Sequence, residues 1–377
     1  MMDPIYLDHN ATTPILPEVV DAMLPYLREH FGNPSSRHVY GRRAHEAIEN
    51  ARGQVAALIG AAPSEITFTS GGTEANNLAI RGAAAAIPGK KHLVSSIIEH
   101  PATTNPCRLL EHSGWDVTWL GVDSTGRVRV EDVTNAVNAR TALVTLMHAN
   151  NETGTLQPIA ELATAIHEAG ALLHTDAAQS VGKVAVLVKE LGVDLLSIAG
   201  HKLYAPKGVG ALYVRSGVVL EPLLLGAGHE RGLRPGTENT ASIVGLGMAC
   251  EIASASITQE SMRVQAMRDE LWSLLKSQIP GLALNGHEAL RLPNTLNVRF
   301  PGARGSGVLA SAPGIAASTG SACHAGCESA SAVLLSMGLT KEVALGSIRL
   351  SLGRATTTED LHRAAEALVQ AWRLTRR

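Results

Sequence analysis

Short apolar runs alternate with amphipathic, alanine-rich stretches through most of the chain. The stretches between the runs carry apolar residues at helical spacing, for example at 74–86, 101–113 and 158–169. Seven of the runs have the length and composition of strands: "EITFTS" (65–70), "HLVSS" (92–96), "DVTWL" (116–120), "TALVTLM" (141–147), "ALLHTD" (171–176), "DLLSIA" (194–199) and "GALYV" (210–214). Because near-continuously apolar strands belong to sheets that are covered on both sides, the pattern predicts an α/β fold with a mostly parallel sheet flanked by helices.

The remaining segments fall outside this sheet. Helical patterns at 17–30 and 39–59 precede the first predicted strand, and a long apolar-periodic stretch at 239–278 leads away from the last. Two further strands and a closing helix follow: "TLNVRF" (295–300), "SIRLSL" (347–352) and 358–375. We therefore expect a large α/β domain over 16–255, and a smaller α+β domain formed by 1–15 together with 256–377.

Polar, glycine-rich segments follow five of the predicted strands. In open α/β sheets, ligands bind at the carboxyl ends of the strands. The five segments are "TSGGTEANN", "SSIIEHPAT", "MHANNETG", "HTDAAQS" and "AGHKLYAPKG". We therefore expect one binding site at this edge of the sheet, built from several loops.

The composition narrows the class of protein. The 377 residues are 45% hydrophobic and 18% charged with a formal net charge of −2, which is typical of a soluble globular protein and gives no indication of nucleic-acid or membrane binding. No apolar stretch reaches the length that a bilayer requires, and the first residues lack the basic and apolar regions of a signal peptide. Four cysteines are too few for a disulfide framework, so we expect a cytoplasmic protein.

Three of the strand-end segments carry residues with a chemical use. Gly72 and Thr73 open a helix whose N-terminus either binds an anion or is simply capped by Thr73. Asp176 ends a strand, where a carboxylate either caps the next turn or pairs with a buried protonated nitrogen. Lys202 lies in a strand-end loop, where burial would lower the pKa of its amine and suit it to Schiff-base chemistry, and Lys207 is a rival for this role.

Taken together, these three features favour one cofactor. Pyridoxal 5'-phosphate (PLP) presents a phosphate, a pyridinium nitrogen and an aldehyde, and the three segments offer a contact for each. A nicotinamide cofactor is disfavoured because no GxGxxG motif opens the first βα unit. A metal site is not expected, because the histidines and cysteines show neither HExxH nor CxxC spacing.

The stretch "STGSACHAGC" (318–327) places Cys323 in a setting of serine, glycine and alanine. Such small residues bury little apolar area and therefore do not fill a core. A thiol in this setting is a candidate nucleophile. Cys327, four positions on, is either an incidental small residue or a resolving thiol for Cys323, whereas Cys107 and Cys250 fall in helical patterns and are expected to be packed.

Nine motifs, in order along nearly the whole chain, resemble those of the cysteine desulfurase and selenocysteine lyase family. The members of this family are PLP enzymes of fold-type I, related to the class V aminotransferases. The motifs are "YLDHNATTP", "FGNPSSRH", "FTSGGTEANNLAI", "HANNETG", "HTDAAQSVGK", "GHKLYAPKGVGALYVR", "ERGLRPGTEN", "STGSACHAG" and "SIRLSLGRATT". The resemblance implies a fold-type I PLP-dependent transferase fold and a homodimer.

The resemblance also implies which residues bind the cofactor. Lys202 would bind the PLP aldehyde, Asp176 would pair with the ring nitrogen, and His100 would stack on the ring. The other residues would bind the ring hydroxyl or the phosphate, with Thr237 reaching in from a second subunit: Gly72, Thr73, Asn151, Gln179, His201 and Thr237.

For the reaction, the family pattern implies that Arg349 and Asn151 bind the substrate, the guanidinium forming a bidentate pair with its carboxylate. Lys202 would remove the Cα proton of L-cysteine, and the Cys323 thiolate would attack the substrate sulfur. A persulfide on Cys323 and L-alanine would result, with His100 as the proton shuttle. The persulfide would then pass to an acceptor protein or a small thiol.

The chain departs from the desulfurase pattern at Ala199. Many desulfurases carry a serine three residues before the Schiff-base lysine, where its hydroxyl binds phosphate, and this chain lacks that hydroxyl. This position, together with His324 after the cysteine, resembles the selenocysteine lyases. Selenocysteine lyase activity is therefore the alternative, and another PLP lyase or an aminotransferase is a further one.

Overall fold

The computed structural model describes residues 4–319 and 329–376, and a seven-stranded sheet forms its centre. The described strands are β1 Ile5–Tyr6, β2 Ile66–Thr69, β3 His92–Ser96, β4 Asp116–Leu120, β5 Thr141–Met147, β6 Leu172–Asp176, β7 Leu195–Ala199, β8 Gly210–Val214, β9 Ala283–Asn285, β10 Thr295–Arg299, β11 Ile315–Ala316 and β12 Ser347–Ser351. The order of the strands across the central sheet is β2-β8-β7-β6-β5-β3-β4, and all of them except β8 run in the same direction.

Helices cover both faces of the central sheet. They are α1 Pro17–Arg28, α2 Val39–Ile59, α3 Gly72–Ala86, α4 Pro101–His112, α5 Val130–Ala136, α6 Ile159–Glu168, α7 Val188–Leu191, α8 Thr240–Gln278, α9 Gly305–Ala310, α10 Ala332–Ser336, α11 Lys341–Leu345 and α12 Thr358–Thr375. One apolar core joins the sheet to α2, α6 and the first half of α8, and another joins it to α3 and α4. All residues of β3, β5 and β7 are buried, which confirms the predicted mostly parallel sheet with helices on both faces.

A second, smaller sheet lies in the C-terminal part of the chain. Its strands are antiparallel, in the order β12-β10-β9, and they pack on α12 and the second half of α8 around a separate apolar core. The N-terminal arm joins this part, because β1 pairs with β11 and Asp8 forms a bridge with Ser351. Since α8 contributes to both cores, the expected division of the chain near residue 255 falls inside one continuous helix, and the division stays a prediction.

The seven strands predicted for the central sheet all exist, with ends within one residue of their predicted bounds. The predictions missed β1, β9 and β11, which have two or three residues each and are too short to show a periodic pattern. Among the described residues, α8 is long and apolar enough to cross a membrane by length and composition, contrary to the expectation that no stretch is. Half of its most apolar window is buried inside the fold, as in a core helix.

Candidate active site

The first loop of the site is the N-terminus of α3, directly after β2. Gly71 is the N-cap residue and provides no side-chain hydrogen bond, so Thr73 does not cap the helix. A Cβ atom added to Gly72 would lie 3.1 Å from the Cβ of Ala199, a tight contact, so glycine at this position suits the close approach of the helix to the end of β7. The helix therefore presents uncapped backbone N–H groups at the edge where a ligand binds, which favours the anion interpretation of this loop.

Asp176 is the last residue of β6 and is buried. One carboxylate oxygen, Oδ1, accepts the backbone N–H of Ala178 at 2.9 Å, so the side chain does cap the following turn. The other oxygen, Oδ2, accepts the side-chain amide of Asn76 at 2.7 Å. Both interpretations of Asp176 are thus compatible with the structure, because a carboxylate oxygen held by one donor can accept a second.

Lys202 ends a short 3₁₀ turn, Gly200–Lys202, directly after β7. Its Nζ donates to the backbone carbonyls of Asn10 and Ala11, at 2.5 and 2.8 Å. Burial, assisted by the positive charge of Arg349, lowers the pKa of this amine from 10.5 to about 8. The rival Lys207 is exposed, so burial and the lowered pKa favour Lys202 over Lys207 for Schiff-base chemistry, and the assignment stays a prediction.

His100 is the N-cap of α4, and its Nδ1 accepts the backbone N–H of Ala102 at 3.1 Å. Burial lowers the pKa of the ring; the charge of Asp176 opposes this shift and that of Lys202 adds to it. The ring is therefore neutral near pH 7, and since Nδ1 is an acceptor, the proton is assigned to Nε2. His100 is thus in the electrostatic environment of both predicted cofactor residues, Asp176 and Lys202.

The sequence did not predict that the backbone of Asn10, in the N-terminal arm, contacts Lys202. Its carbonyl accepts both Lys202 Nζ and, at 3.0 Å, Gln179 Nε2. Its side-chain oxygen accepts Asn294 Nδ2 at 3.0 Å and Lys183 Nζ at 3.3 Å. Asn10 lies in the quoted motif "YLDHNATTP", but Gln179 and Asn294 lie 169 and 284 positions away, so these contacts become visible only in the fold.

Arg349 lies in the middle of β12 and is 6% exposed. Its guanidinium pairs with Asp8 at 2.7 Å and donates to the carbonyl of Asn151 at 3.0 Å. Its Nε is buried and has no hydrogen-bond partner among the described residues. The ion pair with Asp8 is therefore a buried one, and a guanidinium with this burial and an unused donor suits the binding of a carboxylate.

The other predicted site residues already make contacts within the protein. The amide oxygen of Gln179 accepts Lys183 Nζ at 3.0 Å, and His201 Nδ1 lies 3.1 Å from Thr12 Oγ1. Burial, followed by the charge of Lys202, lowers the pKa of His201 to about 4. Thr237 is exposed in an open groove of about 700 Å³ that none of the other predicted site residues lines.

Two buried carboxyl groups next to the site were not predicted. Burial raises the pKa of Glu99 to about 8; its carboxyl oxygens accept the hydroxyl of Ser96 and the backbone N–H of Met147. Burial raises the pKa of Glu152 to about 7, and Ser331 Oγ donates to it at 2.5 Å. Both residues lie in quoted motifs, but a glutamate in a polar loop gives no sequence signal that it is buried.

The cysteines divide into two groups. Cys323 and Cys327 lie outside the described residues. Cys107 and Cys250 are buried in α4 and α8, which confirms that they are packed. Burial raises the pKa of both thiols, that of Cys107 to about 12, so neither forms a thiolate at neutral pH.

Comparison with known proteins identifies the family of this architecture. The family described as aminotransferase class-V matches residues 5–364. A cysteine desulfurase of Nostoc sp. is 47% identical over 369 residues, which are 97% of this chain and 92% of the relative. A structure described as a NifS-like protein superposes with a TM-score of 0.91 at 36% identity, over 97% of this chain and 98% of the other. A second, described as SspA in complex with cysteine, has a TM-score of 0.82 at 38% identity, over 92% and 98%.

Proposed function

The chain belongs to the aminotransferase class-V family, and we propose that it is a PLP-dependent cysteine desulfurase that forms L-alanine from L-cysteine. The match covers 97–98% of this chain and 92–94% of the relatives named cysteine desulfurase. The same names favour this function over selenocysteine lyase activity. The observation that carries the proposal is a lysine of lowered pKa beside a buried aspartate at the strand ends of this fold.

The residues of the site fit PLP. The N-cap residue Gly71 has no side chain, so the start of α3 is uncapped and can bind a phosphate, although Ala199 lacks the hydroxyl that many desulfurases place there. Asp176 offers a buried carboxylate for the ring nitrogen, and Lys202 offers an amine for the aldehyde. When bound, PLP supplies an electron sink that makes the Cα proton of the substrate acidic.

The chain's own residues supply the remaining chemistry. Arg349, with its unpartnered Nε, binds the carboxylate of L-cysteine and orients the amino acid. Lys202 accepts the Cα proton, because a pKa of about 8 leaves part of its amine neutral at pH 7. His100 is the proton shuttle of this proposal, and in its neutral form Nε2 carries the proton and is the donor.

Cys323 is proposed as the sulfur-accepting nucleophile. Its thiolate attacks the sulfur of the substrate, a sulfur–sulfur bond forms, and the bond from that sulfur to Cβ breaks. The electron pair of the broken bond stays with the carbon fragment, which is protonated and leaves as L-alanine. The persulfide then passes to an acceptor protein or a small thiol.

Three further points are part of the proposal. The enzyme is a homodimer in which Thr237 completes the site of the neighbouring subunit, and the exposure of this residue in a separate groove supports that arrangement. It acts in the cytoplasm, as the scarcity of cysteines suggests. Cys327 is not needed for the first sulfur transfer, so Cys327→Ser should leave the persulfide yield unchanged.

The experiment that tests the function compares alanine formation from L-cysteine and from L-selenocysteine. Wild type should form alanine from L-cysteine, and Cys323→Ala should lose this activity. Loss of the cysteine activity alone, with the selenocysteine activity kept, would indicate an enzyme that acts on both. Unchanged alanine formation from L-cysteine in Cys323→Ala would rule out the persulfide mechanism.

A further inference from the structure

Asn76 is a buried residue in the second turn of α3, and no role has been assigned to it so far. Its side chain is 1% exposed. Its amide nitrogen donates to Asp176 Oδ2 at 2.7 Å and to Thr103 Oγ1, on α4, at 3.2 Å. One amide group thus connects three elements: α3, the carboxylate at the end of β6, and the helix that begins after His100. We call the uncapped N-terminus of α3, at Gly72 and Thr73, the anion cradle.

The orientation of this amide is determined by Asp176. The side-chain oxygen of Asn76 is buried and has no hydrogen-bond partner among the described residues. Rotating the amide by half a turn would place that oxygen against the carboxylate of Asp176, where two acceptors would repel each other. A buried acceptor without a partner is costly, so packing alone does not account for an asparagine at this position.

We propose that Asn76 is a positioning residue, which holds the Asp176 carboxylate in place toward the ring nitrogen of the cofactor. This inference rests on the proposed function only in requiring that PLP binds. The backbone N–H of Ala178 holds one oxygen of the carboxylate and Asn76 holds the other, so the side chain cannot turn freely about its last bond. Both donors also stabilise its negative charge, which a protonated ring nitrogen requires.

The location of Asn76 adds a second effect. It lies on α3, whose first residues form the anion cradle, so the same helix that would receive the phosphate also holds Asp176. A single helix would thereby link the contact for the phosphate with the contact for the ring nitrogen. Three titratable groups also face Asp176: Glu99, His100 and Lys202.

The test uses Asn76→Ala, Asn76→Asp and the control Thr103→Val. Thr103→Val removes the other partner of the same amide and leaves the contact with Asp176 intact. Each purified protein is titrated with PLP, and the absorption spectrum of the bound cofactor is recorded against pH. The kcat and KM for L-cysteine and the unfolding temperature of the apoprotein are measured alongside.

Asn76→Ala should weaken PLP binding about 10- to 100-fold, the range expected for one hydrogen bond to a charged group. It should shift the spectral titration of the bound cofactor and lower kcat more than it changes KM. Thr103→Val should change PLP affinity less than about twofold, because neutral hydrogen bonds contribute less. An aspartic acid at position 76 can donate only when protonated, so Asn76→Asp should approach wild-type affinity at low pH and lose affinity as the pH rises.

Three results would overturn the inference. One is an Asn76→Ala protein that unfolds at a lower temperature but keeps the wild-type affinity and spectrum. Another is that Asn76→Ala and Thr103→Val weaken PLP binding equally. The third is that the PLP affinity of Asn76→Asp depends on pH no more strongly than that of wild type. The failure of the proposed function is distinct, since wild type would then bind PLP without forming alanine from L-cysteine; if wild type does not bind PLP, both proposals fall.

Discussion

The lowered pKa of Lys202 allows the site to be tested without any substrate. A drop from 10.5 to about 8 raises the neutral fraction of the amine at pH 7 about 300-fold, to about one-tenth. Only the neutral amine attacks the aldehyde of PLP. The rate at which the apoprotein captures added PLP should therefore rise about tenfold per pH unit below pH 8 and level off above it.

Two variants should move this profile in opposite directions. Arg349 lowers the pKa of Lys202 and Asp8 raises it, and the two side chains pair with each other at 2.7 Å. Arg349→Gln removes a positive charge and leaves Asp8 unpaired, so both changes raise the pKa of Lys202 and slow capture at pH 7. Asp8→Asn has the reverse effect and should speed it. A shift of one pKa unit corresponds to about tenfold in rate at pH 7.

The assay is stopped-flow absorbance after mixing apoprotein with excess PLP, between pH 6 and pH 10. Lys202→Ala is the control that should show no covalent capture. Midpoints that stay near pH 8 in both variants would refute the electrostatic explanation of the lowered pKa. Midpoints that move in the same direction would refute the opposing contributions of Arg349 and Asp8.

Three further predictions concern buried charged groups. Glu230→Ala removes the two short hydrogen bonds that Arg52, whose side chain is 5% exposed, donates to Glu230. The free energy of unfolding in urea should fall by about 3–5 kcal/mol, and a loss below about 1 kcal/mol would contradict this. Because burial raises the pKa of Glu99 from 4.5 to about 8, its contribution to wild-type stability is present below pH 4.5 and is lost as the pH rises to about 8. Glu99→Gln should lack this decline, and parallel stability curves for the two proteins would show that Glu99 does not titrate in this window. Ser331→Ala removes the donor that stabilises the charged form of Glu152, whose pKa is about 7. The variant should therefore lose more free energy of unfolding at pH 8 than at pH 5. Equal losses at the two pH values would exclude this role of Ser331.

The sequence predicted correctly that Asp176 and Lys202 lie at the ends of neighbouring strands, because the signals for strand ends are local. Asp176 stands at the end of an apolar run and Lys202 follows the next run, and parallel strands bring such ends to one edge. Lys202 and Lys207 differ in burial, and the sequence of a loop that contains both lysines does not show which of them is buried. Thr73 lies inside α3, whose N-cap is Gly71, and the sequence alone does not distinguish this position from that of an N-cap.

The contacts that support the site were not predictable in the same way. Asn76 reaches Asp176 across 100 positions of sequence, and Lys202 reaches Asn10 across 192. Such pairs depend on how α3 and the N-terminal arm pack against the sheet, and a single sequence carries no pattern for them. The two-residue strand β1, which holds that arm in place, is also too short to be recognised by periodicity.

The most direct test of the proposed function is a single turnover with L-cysteine. Purified wild-type protein loaded with PLP is mixed with L-cysteine in the absence of any reductant or acceptor. Intact-protein and peptide mass spectrometry should find one additional sulfur atom on Cys323 for each L-alanine released. Alanine formed without added sulfur on Cys323, or added sulfur on another cysteine, would contradict the account.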